Sequence, residues 1–234
     1  MSKLNNLLHA GRKIVFLTGA GVSTASGIPD YRSKNGLYST GEAPEYLLSH
    51  SCLANEPEKH YEFVKNNMIY PEAKPNVIHK KMAEFTRRGK ADIITQNVDG
   101  LHLAAGADPQ HLVEFHGNIY SIYCQKCGQD VELKDYLTSM YHKNCGGILR
   151  TDIVLYEEAI DTQKIEKAVE AISQADLIVV AGTSFVVYPF AGLIQYASSD
   201  AEMVAVNRDP ITLPSNGKMI TGDAVKEFEQ VEIE

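Results

Sequence analysis

The chain has 234 residues, 44% hydrophobic and 22% charged, with a formal net charge of −8 at pH 7. That is globular composition, enough for one large core or a large domain with a small one inserted. No run approaches the ~20 apolar residues that span a bilayer, no apolar leader follows Met1, and no Lys/Arg block makes a nucleic-acid patch. A soluble cytoplasmic protein with neither membrane nor nucleic acid as partner is expected.

Residues 2–10 read as a short helix and 13–18 as a buried strand. The strand runs into a glycine turn, Gly19-Ala20-Gly21-Val22-Ser23, expected to open a short helix. Helical patterns follow over 57–69, 75–88, 162–174 and 186–197. Between them lie short apolar runs at 92–95, 112–115, 177–180 and 203–206, the pattern of strands buried on both faces. Strands alternating with helices predict an α/β fold, a Rossmann-like doubly wound parallel sheet. Residues 32–74 and 118–152 break the rhythm, the first with helices alone and the second with cysteines and turn glycines.

A glycine turn between a buried strand and a helix is a phosphate cradle, because backbone N–H groups point at the anion and missing side chains admit it. The third glycine of a dinucleotide fingerprint is absent here, since Thr24 stands in its place. No acidic residue is convincingly placed to end a second strand, so a dehydrogenase is disfavoured. Cys124-x-x-Cys127 is a metal knuckle, and His142-x-x-Cys145 is a second pair. Together they can close a tetrahedral structural zinc site. The alternative is a solvated His142 and a three-ligand or degraded site. Cys52 stands apart and reads as a small buried hydrophobe. His116 follows a buried strand and precedes a glycine, a position suited to a general base.

The blocks Gly19–Arg32 and Thr95–His102, then Phe115-His116-Gly117 and the two ligand pairs, resemble the sirtuins, the NAD-dependent protein lysine deacylases. The resemblance runs from about Lys13 to Phe228 and suggests a short bacterial member. It implies a Rossmann-like NAD-binding domain of residues 1–31, 75–117 and 153–234. Residues 32–74 and 118–152 would form a small helical and zinc-ribbon domain. NAD would be co-substrate, zinc structural, and acetyl-lysine proteins or peptides the partners.

The resemblance also implies residue roles. His116 deprotonates a ribose hydroxyl of NAD after the acyl oxygen displaces nicotinamide. Gln96 and Asn97 order the ribose hydroxyls and nearby water. Asp99 and Ile28 hold the nicotinamide carboxamide. Gly19, Ala20, Gly21 and Ser23 form the phosphate turn, and Asp30, Tyr31 and Arg32 belong to a loop that closes on NAD. Gly182, Thr183 and Ser184 form a second phosphate turn that opens a helix, Asn207 meets the adenosine ribose, and Asp223 and Ala224 cover the adenine. Val154, Tyr156, Glu157 and Val186 meet the substrate.

Four positions depart from the family pattern. His142 replaces a cysteine, Tyr31 a phenylalanine and Glu157 a glycine. The Tyr-x-x-Arg pair of succinyl-preferring members has Val64 in place of arginine, counting from Tyr61, which favours neutral acyl groups, with Lys65 as the nearest cation. Besides the deacetylase, the same motifs admit a protein mono-ADP-ribosyltransferase or a non-catalytic NAD-sensing module.

Overall fold

The computed structural model describes residues 2–30, 43–215 and 217–233. Its strands are β1 (Ile14–Thr18), β2 (Ala91–Thr95), β3 (Leu112–Glu114), β4 (Gly117–Cys124), β5 (Leu149–Ile153), β6 (Leu177–Ala181), β7 (Glu202–Asn207) and β8 (Gly217–Thr221). The helices are α1 (Lys3–Ala10), α2 (Pro44–Leu47), α3 (His50–Asn55), α4 (Pro57–Asn67), α5 (Val77–Arg87), α6 (Leu101–Ala104), α7 (Leu133–Thr138), α8 (Thr162–Gln174) and α9 (Ala224–Glu229).

Every residue of β1 and β6 is buried, so both faces of the sheet centre are covered. Side chains alternate between the faces. Ile14 and Phe16 meet α1, α5 and α9 through Leu4, Leu8, Met82 and Phe228. Val15 and Leu17 meet the opposite layer, Ala168 and Ile172 of α8 with Phe190 and Leu193. Side-chain caps start the covering helices. Asp161 accepts from the Gln163 N–H at 2.8 Å ahead of α8, and Asp223 from the Val225 N–H at 3.0 Å ahead of α9. A third core joins Leu47–Met68 to Ile119–Leu155 and contains Cys52, which is fully buried as a hydrophobe.

All pairings in the six-stranded sheet are parallel, in the order β3-β2-β1-β6-β7-β8. The chain builds outward from β1, then returns to the other side of β1 at β6. That reversal is a doubly wound sheet with its switch point between β1 and β6, as the sequence predicts. β4 and β5 form a separate antiparallel pair within the third core.

Three local expectations are corrected. No continuous helix covers 186–197; a loop precedes a 3-10 stretch at Phe190–Tyr196. Pro189 lacks an N–H and pushes Tyr188 away from helical geometry, so the pattern cannot run through it. The glycine turn after β1 opens two 3-10 turns, Ala20–Val22 and Thr24–Ser26, and Gly27 at φ 86° ends them. Strand β8 was not expected. It is an edge strand reading Gly-Lys-Met-Ile-Thr and is nowhere fully buried, so it has no continuous apolar run to signal it.

The two turns at the switch point touch. The Gly21 N–H donates to the Gly182 carbonyl at 2.7 Å. A Cβ on Gly182 would lie 2.4 Å from the Val22 nitrogen, and its φ is 60°. Gly182→Ala therefore combines overpacking with left-handed strain, together about 2–4 kcal/mol. We expect the melting temperature to fall by roughly 5–10 °C, read by calorimetry beside a control with room for the added methyl, Gly222→Ala, whose Cβ would meet nothing within 4 Å.

Candidate active site

The register brings the strand ends to one rim. Thr18 pairs with Thr95 and with Ala181, and Ala181 pairs with Val206. The next residues continue the ladder by one rung. Gly19 N donates to Ala181 O, Gln96 N to Thr18 O, Gly182 N to Val206 O and Gly222 N to Asn207 O, at 2.9–3.3 Å. Segments distant in sequence thus meet along one edge of the sheet.

They line one cleft of about 630 Å³. Gly19, Ala20, Gly21, Asp30, Gln96, Asn97 and His116 are in its wall, as are Gly182, Thr183, Ser184, Asn207, Asp223 and Ala224. Val154, Tyr156 and Glu157 form the opposite wall. A side cavity of about 30 Å³ opens between Ala20, Ser23, Ile28, Asn97 and Asp99. The size and the convergent polar groups suit a dinucleotide. Val186 is 61% exposed and outside the wall, while its neighbour Val187 is in it. Tyr31 and Arg32 lie outside the described residues.

The glycines have a second role beyond admitting an anion. A Cβ on Gly19 would lie 2.6 Å from Thr183 Cβ, and one on Gly21 would lie 2.7 Å from Gly182 Cα. Packing of one turn on the other already requires them. The second turn opens no helix at Ser184, so its donors are those of a loop. Thr183 organises that loop, accepting from Gln96 Nε2 at 2.9 Å and from the Phe185 N–H at 3.0 Å through Oγ1. Asn207 Nδ2 donates to the Thr183 carbonyl at 2.8 Å.

His116 is half-buried against Phe115 and Phe190, with ring centroids 5.5 and 6.4 Å away. Its Nδ1 lies 3.2 Å from the Gln96 carbonyl. A carbonyl only accepts, so Nδ1 carries the proton and Nε2 is the basic nitrogen. Burial holds the pKa below the usual histidine value, outweighing that hydrogen bond. The ring is therefore neutral at pH 7. Gly117 explains the His-Gly order: at φ 88°, its Cβ would lie 2.0 Å from the Asp152 carbonyl oxygen.

Behind the side cavity lies a directed hydrogen-bond chain. The Asn76 N–H donates to His79 Nδ1 at 3.3 Å, so Nε2 carries that ring's proton. His79 Nε2 faces Ser23 Oγ at 3.3 Å, and Asn97 Nδ2 donates to the same oxygen at 3.2 Å. Ser23 donates to Asp99 Oδ2 at 2.6 Å, and the Leu101 N–H donates to Oδ1 at 2.9 Å. Burial raises the Asp99 pKa against these donors. Sequence reasoning missed His79. Its signal was local, because Asn76-x-x-His79 has the spacing of a capping box with histidine at the usual Glu/Gln place.

The wall opposite is a short strand-like segment. Val154 N donates to His116 O, Tyr156 N to Leu48 O, and His50 N to Tyr156 O, all at 2.9–3.0 Å. Glu157 has φ 74°, the glycine-favouring region. Glu158 forms a bidentate pair with Arg150, at 2.8 and 2.9 Å. Burial pushes the Glu158 carboxyl up, yet Arg150 and the Leu155 N–H prevail and hold it at about 2. Arg150 and Glu158 are eight residues apart on opposite sides of a turn, and no local pattern signals the pair. Tyr61 is buried and donates to the Tyr136 carbonyl at 2.7 Å, and Lys65 Nζ sits 5.3 Å from the Tyr61 ring centroid. Neither they nor the buried Val64 line the cleft.

At the far end of β4, Cys124, Cys127, His142 and Cys145 bring four ligand atoms within 4.8 Å of one another. His142 is buried, not solvated, with Nδ1 3.2 Å from Cys145 Sγ and 3.4 Å from Cys127 Sγ. Sulfur ligands on one tetrahedral zinc stand about 3.8 Å apart. Here Cys145 Sγ lies 3.4 and 3.5 Å from its partners, near that value and far beyond a disulfide. Burial opposes a Cys124 thiolate, but the Cys127 and Lys126 N–H groups and neighbouring thiols bring the thiol down to about 7. The donor set is Cys3His and fits a structural zinc.

A doubly wound sheet with a glycine-turn cleft at its switch point, a histidine base and a zinc-type knuckle defines a dinucleotide-dependent enzyme class. The Sir2 family profile matches residues 19–189, and the chain belongs to the Sir2 family. An NAD-dependent protein deacetylase of Listeria monocytogenes is 56% identical over 231 residues, covering 99% of this chain and 100% of that protein. One of Lactiplantibacillus plantarum is 52% identical, covering 97% and 96%. Among solved structures, Sir2 with a deacetylated p53 peptide and 3′-O-acetyl ADP ribose superposes with a TM-score of 0.88 at 31% identity, covering 97% and 95%. Sir2 with a p53 peptide and NAD+ gives 0.85 at 32%, covering 98% and 96%.

Two predictions follow from these geometries. Elemental analysis should find about one zinc per chain. Cys127→Ala should release it and lower the melting temperature, because metal binding and folding are coupled, whereas His142→Cys should retain it. The second concerns acid stability. Burial pushes His79 down to about 4 and His102 well below its usual value. The unfolded chain takes up these protons near 6.5. The stability is therefore complete above pH 6.5 and is lost as the pH falls toward 4, by up to about 1.4 kcal/mol per pH unit per histidine. Urea unfolding at pH 7 and pH 5 should show this loss, and His79→Asn should reduce it to the part that His102 contributes.

Proposed function

We propose that the chain is an NAD-dependent protein lysine deacetylase that releases nicotinamide and transfers the acetyl group to ADP-ribose. The carrying observation is the neutral His116 in the cleft wall, its Nδ1 committed to Gln96 and its Nε2 basic. NAD supplies the glycosidic bond that breaks and the ribose that takes up the acetyl group.

The chain's residues divide the remaining work. Gly19, Ala20, Gly21 and Ser23 with Gly182, Thr183 and Ser184 form the two turns against which the diphosphate lies; the missing side chains admit it, while the Gly19, Gly21, Ser23 and Gly182 N–H groups bond within the fold. Asn207 holds the adenosine ribose, and Asp223 and Ala224 cover the adenine. Asp99, fixed by Ser23, holds the carboxamide with Ile28 in the side cavity. Gln96 and Asn97 order the ribose hydroxyls, and His116 accepts a hydroxyl proton at Nε2. Asp30, in the cleft wall, lies beside the cofactor. Val154 and Tyr156 wall the acyl-lysine channel, with Glu157 at its edge. The peptide adds as a strand between that segment and the Val186-Val187 loop. Zinc on Cys124, Cys127, His142 and Cys145 holds the small domain. Neutral acyl groups suit a channel to which Tyr61, Val64 and Lys65 contribute no cation. We place the enzyme in the cytoplasm, where its ligand thiols stay reduced.

His116→Ala should lower deacetylation by ~10²- to 10⁴-fold and leave ADP-ribose binding nearly intact, because phosphate and adenosine contacts lie elsewhere. In wild type, kcat/KM should be flat at neutral pH and fall only as the pH drops through a value below 6.5, since the neutral ring is the active form. Mass spectrometry of an acetylated peptide with NAD across pH 5–8 measures both. Near wild-type turnover in the alanine variant would refute the assignment.

A further inference from the structure

Besides its backbone bonds to His116, Leu48 and His50, the wall segment is tied to α3 by a side chain, Glu157. The Glu158 N–H donates to the Leu155 carbonyl at 3.1 Å, so 155–158 is a tight turn. Glu157 is its third residue, at φ 74°. Turns that need positive φ at this position favour glycine. A glutamate there is strained unless its side chain makes contacts that glycine cannot.

Those contacts are present. Glu157 Oε2 accepts from the Ser51 N–H at 2.9 Å and from Ser51 Oγ at 2.7 Å. These hydrogen bonds hold the exposed Glu157 carboxyl below its ordinary value. Ser51 lies in the first turn of α3, where N–H groups lack helical partners. Ser49 already caps the Cys52 N–H at 3.0 Å, so the helix start takes one cap from its own chain segment and another from Glu157. Beside them, Ser49 and Tyr156 form a parallel bridge. The segment is therefore fastened at both ends: Val154 to His116, and Glu157 to α3.

We propose that Glu157 is a positioning residue for the peptide substrate. Its carboxylate clasps the wall segment to α3 through Ser51, and this fixes the position of residues 154–157 beside the bound peptide. Glu157 acts through the segment and not by touching the acyl group. The inference rests on the deacetylase reading for the nature of the peptide, and on the structure alone for the clasp.

The test compares Glu157→Gly, Glu157→Gln and Ser51→Ala with wild type. Steady-state kinetics use an acetyl-lysine peptide and NAD, and amide exchange is followed at Ser51. Glycine accepts the backbone angle, so that variant keeps the turn and loses only the clasp. Charge-assisted hydrogen bonds of this kind justify an expected rise of about 10-fold or more in peptide KM. The NAD KM and kcat should shift less than about twofold, and the Ser51 amide should exchange at least about tenfold faster. Glutamine presents an oxygen at the same place, so it should keep peptide KM within about threefold. Ser51→Ala should fall between. An unchanged or lowered peptide KM in the glycine variant would overturn the clasp, as would a glutamine variant as impaired as glycine. If wild type turns over no acetyl peptide, the deacetylase reading fails instead. The clasp is then judged at Ser51 alone, where an amide unprotected in wild type would overturn it.

Discussion

The structure depends on a close approach of two backbones, Gly21 against Gly182. The 2.7 Å hydrogen bond between them joins the turn after β1 to the turn after β6. Parallel strands in register place both turns at the same height, and the switch point leaves the crevice above them open. A side chain on Gly19, Gly21 or Gly182 would push the turns apart before any ligand arrived. The glycines thus serve the fold first, and the cleft that could receive a dinucleotide results from that packing. In place of the third fingerprint glycine, Thr24 bonds back to the Gly21 carbonyl at 3.0 Å and tightens the 3-10 turn.

Burial does the electrostatic work around that crevice. The same desolvation that lowers His116 also lowers His79 and raises Asp99. For His116 the result is a free base at neutral pH. For His79 it is a fixed tautomer that donates toward Ser23, which in turn donates to Asp99. Histidine and carboxylate are thereby held in complementary states by one dry environment, joined by hydrogen bonds whose direction the capping of α5 decides. Buried His102 keeps Thr18 as a partner at 3.0 Å through Nε2, while its Nδ1 has none among the described residues. That unsatisfied atom is a cost borne beside the site.

Much of this was legible in the sequence because the informative residues are local. Strands buried on both faces read as unbroken apolar runs, and each run ends in the polar or glycine residue that reaches the rim. Those rim residues were found by motif. What failed was whatever depends on neighbours distant in sequence. The edge strand β8 pairs only with β7 and carries no apolar run. Pro189 turned an expected helix into a loop, and it is Val187, not Val186, that lines the cleft. Glu157 was visible as a departure from glycine, but its partner Ser51 lies 106 residues away, and nothing near either residue announces the contact.

The metal cluster belongs to the same logic through β4 and β5. β4 begins at Gly117, beside His116, and ends at Cys124. β5 begins four residues after Cys145 and leads into Val154, whose N–H returns to the His116 carbonyl. Cys124 pairs with Leu149 and Gly117 with Ile153, four strand steps that span about 13 Å, and no ligand residue is in the cleft wall. The ligand residues close one end of the hairpin, while the close approach of Gly117 to Asp152 and the Val154–His116 bond close the other. A register shift between Asn118 and Ile122 interrupts the ladder in between. Pairing alone is weakest there, so the hairpin relies on its two fastened ends. The ligand cluster at one end and the backbone glycine at the other would then hold His116 and the segment from Val154 at a fixed separation.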